Sequence, residues 1–118
     1  MLEIEEIKKG AKFAEGFEYS PKKDGRPSVT FPDGQWTFLD YPNELFQLIT
    51  YPLFLQRVIE GINNKGDYIL EINHWCINIY NRHSYDLIKQ FDFYEDIEGI
   101  DQAKEQAIKY ILVKDKEC

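Results

Sequence analysis

Apolar residues recur along this chain with two periods. Between Ile100 and Val113, residues Ile100, Ala103, Ala107, Ile108, Ile111 and Leu112 return at spacings of three and four. That is the stripe of a helix with one buried face. Asp101 near its start and Lys114 near its end suit the helix dipole. The same spacing in Leu55, Val58, Ile59 and Ile62 predicts a helix from Pro52 to about Asn63, ended by Asn63-Asn64-Lys65-Gly66. Upstream, Leu45, Phe46, Leu48 and Ile49 predict a helical stretch that opens at Tyr41-Pro42 with Asp40 as its cap. Pro52 interrupts that run, because it lacks an N–H and crowds the preceding turn.

Elsewhere the period is two. Tyr68 to Tyr80 reads as one long strand with a change of phase inside it. Tyr68, Leu70 and Ile72 point one way and Trp75, Ile77 and Ile79 the other, so a bulge or bend is expected near Asn73-His74. Asn81 to Ser84 forms a turn, and Tyr85 to Phe93 the return strand, with Tyr85, Leu87, Phe91 and Phe93 on one face. Val29–Phe31 and Gln35–Leu39 flank Pro32-Asp33-Gly34 and predict a hairpin. Phe13 to Tyr19 reads as a strand broken at Gly16, and Ser20 to Ser28 as a loop. At the start, Glu3, Glu5 and Glu6 precede Lys8, Lys9 and Gly10, the order a short helix prefers. An edge strand is the alternative, since Leu2 and Ile4 alternate with Glu.

These elements predict an α+β fold in a single domain spanning 1–118. Its antiparallel sheet comes from the hairpin at 29–39 and the strands at 68–80 and 85–93. Helices at 42–63 and 100–113 cover one face. No repeat, low-complexity tract or long linker divides the chain.

Composition narrows the function. With 118 residues, 43% of them hydrophobic, the chain can bury a core without disulfides or metal. A net charge of −7 argues against a nucleic-acid binder and against an anionic membrane surface. No run approaches the ~18 apolar residues of a membrane span. Cys76 and Cys118 make no disulfide framework, and Met1 to Lys9 lacks an apolar run. The expected location is therefore cytoplasmic.

His74, Cys76 and His83 are the cluster nearest to a metal or nucleophile set. Zinc needs three or four converging N or S ligands. His74 and Cys76 share a strand face, but His83 lies in the following turn. A partly buried His and a core Cys are the simpler reading, with no metal and no cofactor. A Cys–His pair would make the chain a small hydrolase or transferase using His74, Cys76 or His83, and this is the alternative function. No Gly-rich phosphate loop, G-x-S-x-G elbow or paired-His motif is present.

The charge is concentrated. Residues 92–105 hold six carboxylates against Lys104, a net −5 out of −7. A solvated loop and helix start would account for them. The functional reading is an acidic knob for a basic partner, formed by Asp92, Tyr94, Glu95, Asp96 and Glu98. Three further positions are candidates for a small anionic ligand such as a nucleotide: Trp36, Arg57 and Arg82. Core packing for Trp36 and an ion pair for Arg57 are the structural readings. Lys22, Lys23 and Arg26, between Pro21 and Pro27, form a basic loop that could meet a phosphate.

The chain is similar in style to the small acidic proteins of phages and mobile elements, although no motif carries that similarity. The expected function is thus a non-enzymatic binding or inhibitor protein acting through its acidic surface. Candidate types are an anti-defence or anti-CRISPR protein, a nucleotide sponge, and a toxin immunity protein. The expected partner is a basic protein surface, as on a nucleic-acid-processing enzyme or a toxin, or a small nucleotide. Surplus aromatics and an open sheet edge also point to a homodimer.

Overall fold

In the computed structural model, which describes residues 2–22, 24–40, 46–93 and 97–117, the chain folds as α+β. The side chains of 47, 97, 98 and 114–117 also lie outside the description. Helix α1 (Ile4–Gly10) forms where the charge order predicts it. The Glu3 N–H donates to Glu6 Oε1 at 2.8 Å, satisfying one end-of-helix donor. Strands β1 (Glu18–Pro21), β2 (Pro27–Thr30) and β3 (Trp36–Phe38) make one antiparallel sheet in that order. A π-helical turn at Phe46–Thr50 runs into α2 (Tyr51–Lys65). Strands β4 (Tyr68–Ile72), β5 (Cys76–Asn81) and β6 (Leu87–Asp92) make a second antiparallel sheet, and α3 (Ile97–Glu117) follows.

The expected single sheet is therefore two three-stranded sheets. The long strand at 68–80 is a hairpin. Asn73 is the cause: its Oδ1 accepts the N–H groups of Trp75 at 2.9 Å and Cys76 at 2.8 Å, which reverses the chain within three residues. The change of phase marks that reversal. Leu70 pairs with Ile79 and Ile72 with Ile77, so apolar residues on both sides of the turn share one face. The β5–β6 ladder carries a bulge next to Ile79 and Tyr80, which moves Leu87 off the face of Phe91 and leaves it exposed.

Residues 20–28 are less of a loop than their composition predicts. Ser20 pairs with Ser28 and Pro21 with Pro27, and the fully buried Ser28 hydroxyl donates to the Ser20 carbonyl. Pro27 is tolerated because it opens its strand. The strand expected from Phe13 begins only at Glu18. Residues 11–16 are turns, with the Phe13 and Ala14 N–H groups donating to the Gly10 carbonyl. The predicted helix start at Tyr41-Pro42 falls on 41–45, outside the described residues, while Asp40, expected as its cap, accepts hydrogen bonds from Arg26. Pro52 lies in the first turn of α2, as its missing N–H allows.

The core joins α2 and α3 to one face of the second sheet and to the first sheet. Leu55, Val58, Ile59 and Ile62 of α2 are buried, as are Ala103, Ala107, Ile108, Ile111 and Leu112 of α3. They meet Leu70, Ile77 and Ile79, while Phe54 packs edge-to-face on Phe17. Among the described residues no helix is long and apolar enough to cross a membrane.

Tyr51 closes this core polar-end outward. Its hydroxyl donates to Glu105 Oε1 at 2.7 Å and accepts the buried Leu2 N–H at 2.8 Å. Burial, and then the Glu105 carboxylate, push its ionisation well above the ordinary tyrosine range. The unfolded chain releases this proton near pH ~10 while the folded chain retains it. The contribution to stability is complete below ~10 and is lost as pH rises towards the folded value. Tyr51→Phe should cost about 1–3 kcal/mol at pH 7, by stranding the Leu2 N–H. It should also flatten the decline of stability above pH ~10 relative to the wild type. Urea unfolding at stepped pH checks both, and parallel alkaline slopes would refute the assignment.

Candidate functional site

The first sheet brings together two features that lie apart in the sequence. Trp36 and Phe38 are two residues apart on β3 and so share a face. The register places Ser28 beside Phe38 and Thr30 beside Trp36, and Ser20 beside Ser28. The tight turn after β1, closed by the Lys22 N–H to the Arg26 carbonyl at 3.0 Å, carries two cations back over that face. Lys22 Nζ lies 4.2 Å from the centre of the Trp36 ring, and the Arg26 guanidinium 3.7 Å from that of Phe38. The two rings meet edge-to-face at 5.0 Å. Trp36 remains 48% exposed, so the stack faces solvent and is not core.

Asp40 fixes the arrangement. Arg26 Nε donates to its Oδ2 at 3.1 Å and Nη2 to its Oδ1 at 3.0 Å, a two-point fork. That hydrogen-bonded contact holds the Asp40 carboxyl below its ordinary range and raises Arg26. Lys22 has a ring beneath it. The face thus offers a rigid aromatic pair bordered by positive charge, in a chain that is acidic as a whole.

The other candidates are dispersed. Arg57 Nη1 lies 3.7 Å from Glu60 Oε2 one turn along α2. It lines a groove of about 450 Å³ with Lys12, Glu15, Asn64 and Lys65. Arg82 is half-buried, and its guanidinium donates to the carbonyls of Ile62, Asn63 and Gly66 at the end of α2. Asp92 is exposed and accepts Gln90 Nε2 at 2.9 Å. Tyr94, Glu95 and Asp96, and the side chain of Glu98, lie outside the described residues. Of the remaining carboxylates in that stretch, Asp101 is exposed and Glu105 is drawn in towards Tyr51.

His74 and His83 are exposed, and Cys76 is buried at 5%. The Cys76 thiol donates towards Oδ1 of Asn73 at 3.4 Å and of Asn78 at 3.5 Å. His83 Nε2 lies 4.0 Å from Asp67 Oδ1. Among the described residues no three His, Cys, Asp or Glu side chains converge as metal ligands.

Sequence reasoning named Trp36 and the basic loop separately and gave Phe38 no role. The signal that joins them is the repeat of apolar residues at 36 and 38 opposite a strand that begins at a basic turn. Comparison with protein-family models, curated proteins and solved structures found no match.

Proposed function

We propose that this chain is a non-enzymatic binding protein of the inhibitor type, which docks a partner on the Lys22–Trp36–Phe38–Arg26 face. The supporting observation is the half-exposed Trp36 held in place by Lys22 above it and Phe38 beside it. Trp and Arg are the residue types that dominate binding energy at protein contacts. A ring fixed before binding loses little freedom on association. Arg26 is paired with Asp40, so Lys22 is the cation that suits a partner with a carboxylate beside an apolar spot.

A second reading puts the contact on the acidic stretch, and the exposure of Asp92 and Asp101 favours it. There the partner is a basic surface. The experiment captures partners from a host-cell lysate on the immobilised chain and elutes them with salt. A protein retained by the wild type should be lost with Trp36→Ala or Lys22→Glu, both exposed-face changes. It should persist when Asp92, Glu95, Asp96 and Glu98 are changed to Lys. The opposite pattern would replace the first reading with the second, and indifference to both sets would refute both.

A further inference from the structure

We propose a second docking site, sharing no residue with the Lys22–Trp36–Phe38–Arg26 face: the groove between β6 and the later turns of α3, which receives an extended acidic peptide from a partner protein. Strand β6 ends the sheet order β4–β5–β6, with no further strand beside it among the described residues. Such an edge presents alternate N–H and C=O groups to any chain that lies alongside. The bulge falls near Leu87, at the beginning of β6, so Lys89 to Asp92 keep regular pairing with β5.

Beside that edge lies a groove of about 440 Å³ lined by Lys89, Phe91, Gln106, Lys109, Tyr110 and Val113. Its floor is apolar. Phe91 and Tyr110 meet edge-to-face at 6.3 Å, and Val113 is 56% exposed. Lys89 and Lys109 supply the charge. Lys89 Nζ stands 5.8 Å from the centre of the Phe91 ring, so its stem extends the apolar floor while its ammonium marks the rim. A strand edge next to an apolar slot is the geometry of strand addition. Backbone bonds then give affinity, and alternate side chains give specificity.

Charge decides the occupant. Lys89 and Phe91 lie two apart on β6 and share a face, so a peptide with apolar residues and carboxylates taking turns at every second position, all on one face, meets both the slot and the two lysines. A second copy of this chain does not. Pairing β6 with itself would bring the Lys89 and Lys109 of both copies into one groove, and opposed like charges destabilise a sheet.

The test uses a fluorescein-labelled nonapeptide with Val and Glu taking turns at every second position and Ser between them, its Lys–Val counterpart with Lys in place of Glu, and the full chain. Anisotropy should show binding of the Glu–Val peptide and none of the Lys–Val peptide. Amide shifts in the labelled protein should fall on β6 and on α3 around Lys109. Lys89→Glu with Lys109→Glu, both at the rim, should weaken binding about tenfold or more. Gln90→Pro, which disturbs only the edge, should weaken it as well. The proposal is overturned by absence of binding at about 1 mM peptide, by shifts elsewhere, or by affinity unchanged in the charge-reversed variant. It is equally overturned if sedimentation shows a dimer that Gln90→Pro abolishes, since a second copy would then be the occupant. Trp36→Ala should leave peptide binding unchanged, which separates failure here from failure of the face on the first sheet.

Discussion

Gly61→Ala is expected to unfold this protein more readily than any ordinary surface change, by about 3 kcal/mol or more. Gly61 sits inside α2 on its buried side. A Cβ there would lie 1.8 Å from the Phe13 carbonyl oxygen and 2.5 Å from its carbon. The obstacle is backbone, so no rotamer change relieves it. Nor can the segment retreat easily. The Phe13 N–H is bonded to the Gly10 carbonyl at 2.9 Å, and Lys65 Nζ holds the Lys12 carbonyl at 2.8 Å. Alanine would gain about 1 kcal/mol of helix propensity, and the overlap exceeds it. The thermal midpoint should fall by roughly 10 °C or more. Gly25→Ala separates sterics from backbone conformation: Gly25 has φ +81° with nothing within 4 Å of the added carbon. Its cost should stay near 1–2 kcal/mol. Urea unfolding followed by circular dichroism measures both, and a Gly61→Ala variant as stable as the wild type would show that the crossing is not close-packed.

The helices were the most legible part of the sequence, for a physical reason. The stripes in α2 and α3 are local patterns, and each buried position can be named without knowing what it packs against. Pairing between strands is not local. The change of phase at Asn73 has the same appearance for a kinked strand and for a hairpin. Only the Asn73 side chain, accepting two N–H groups of the turn, separates them. The two-sheet arrangement was hidden for the same cause, since alternation says which face is apolar and not which strand lies beside it. The cation–aromatic face depends on register across β1, β2 and β3. Lys22 and Trp36 are singled out by type alone, and their contact follows from the pairing of Ser20 with Ser28 and Ser28 with Phe38. Gly61 did leave a trace, as a glycine inside a strong helical pattern, which often marks a close approach. The acidic stretch was the plainest feature of composition. Yet one of its members, Glu105, faces Tyr51, so charge density along a sequence does not measure charge presented to a partner.

Arg82→Ala should also be strongly destabilising, by about 2–4 kcal/mol, although the side chain is only half-buried and lies in a turn. A helix ends with carbonyls that lack intrahelical donors. In α2 the Gly66 N–H donates to the Ile62 carbonyl at 2.8 Å, and the rest is left to a residue from the β5–β6 turn. Arg82 Nε donates to the Gly66 carbonyl at 2.6 Å, and Nη2 to the Ile62 carbonyl at 3.1 Å and to that of Asn63. Its own N–H donates to the Asp67 carbonyl at 3.0 Å, which ties the turn to the start of β4. A cation at a helix C-terminus gains further from the dipole. Removal would leave these carbonyls to water, which reaches them in part, so the cost should fall short of three full charged hydrogen bonds. Arg82→Lys keeps the charge but not the planar fork, and should recover less than half of the loss. His83→Ala next to it, at an exposed side chain, should stay within about 0.5 kcal/mol of the wild type. Urea unfolding ranks the three variants. Hydrogen exchange locates the effect: amides in the last turn of α2 should lose protection first in Arg82→Ala, ahead of those in α3. If Arg82→Lys matches the wild type, the interaction is a matter of charge alone, and the fork has no role in joining the second sheet to the helix.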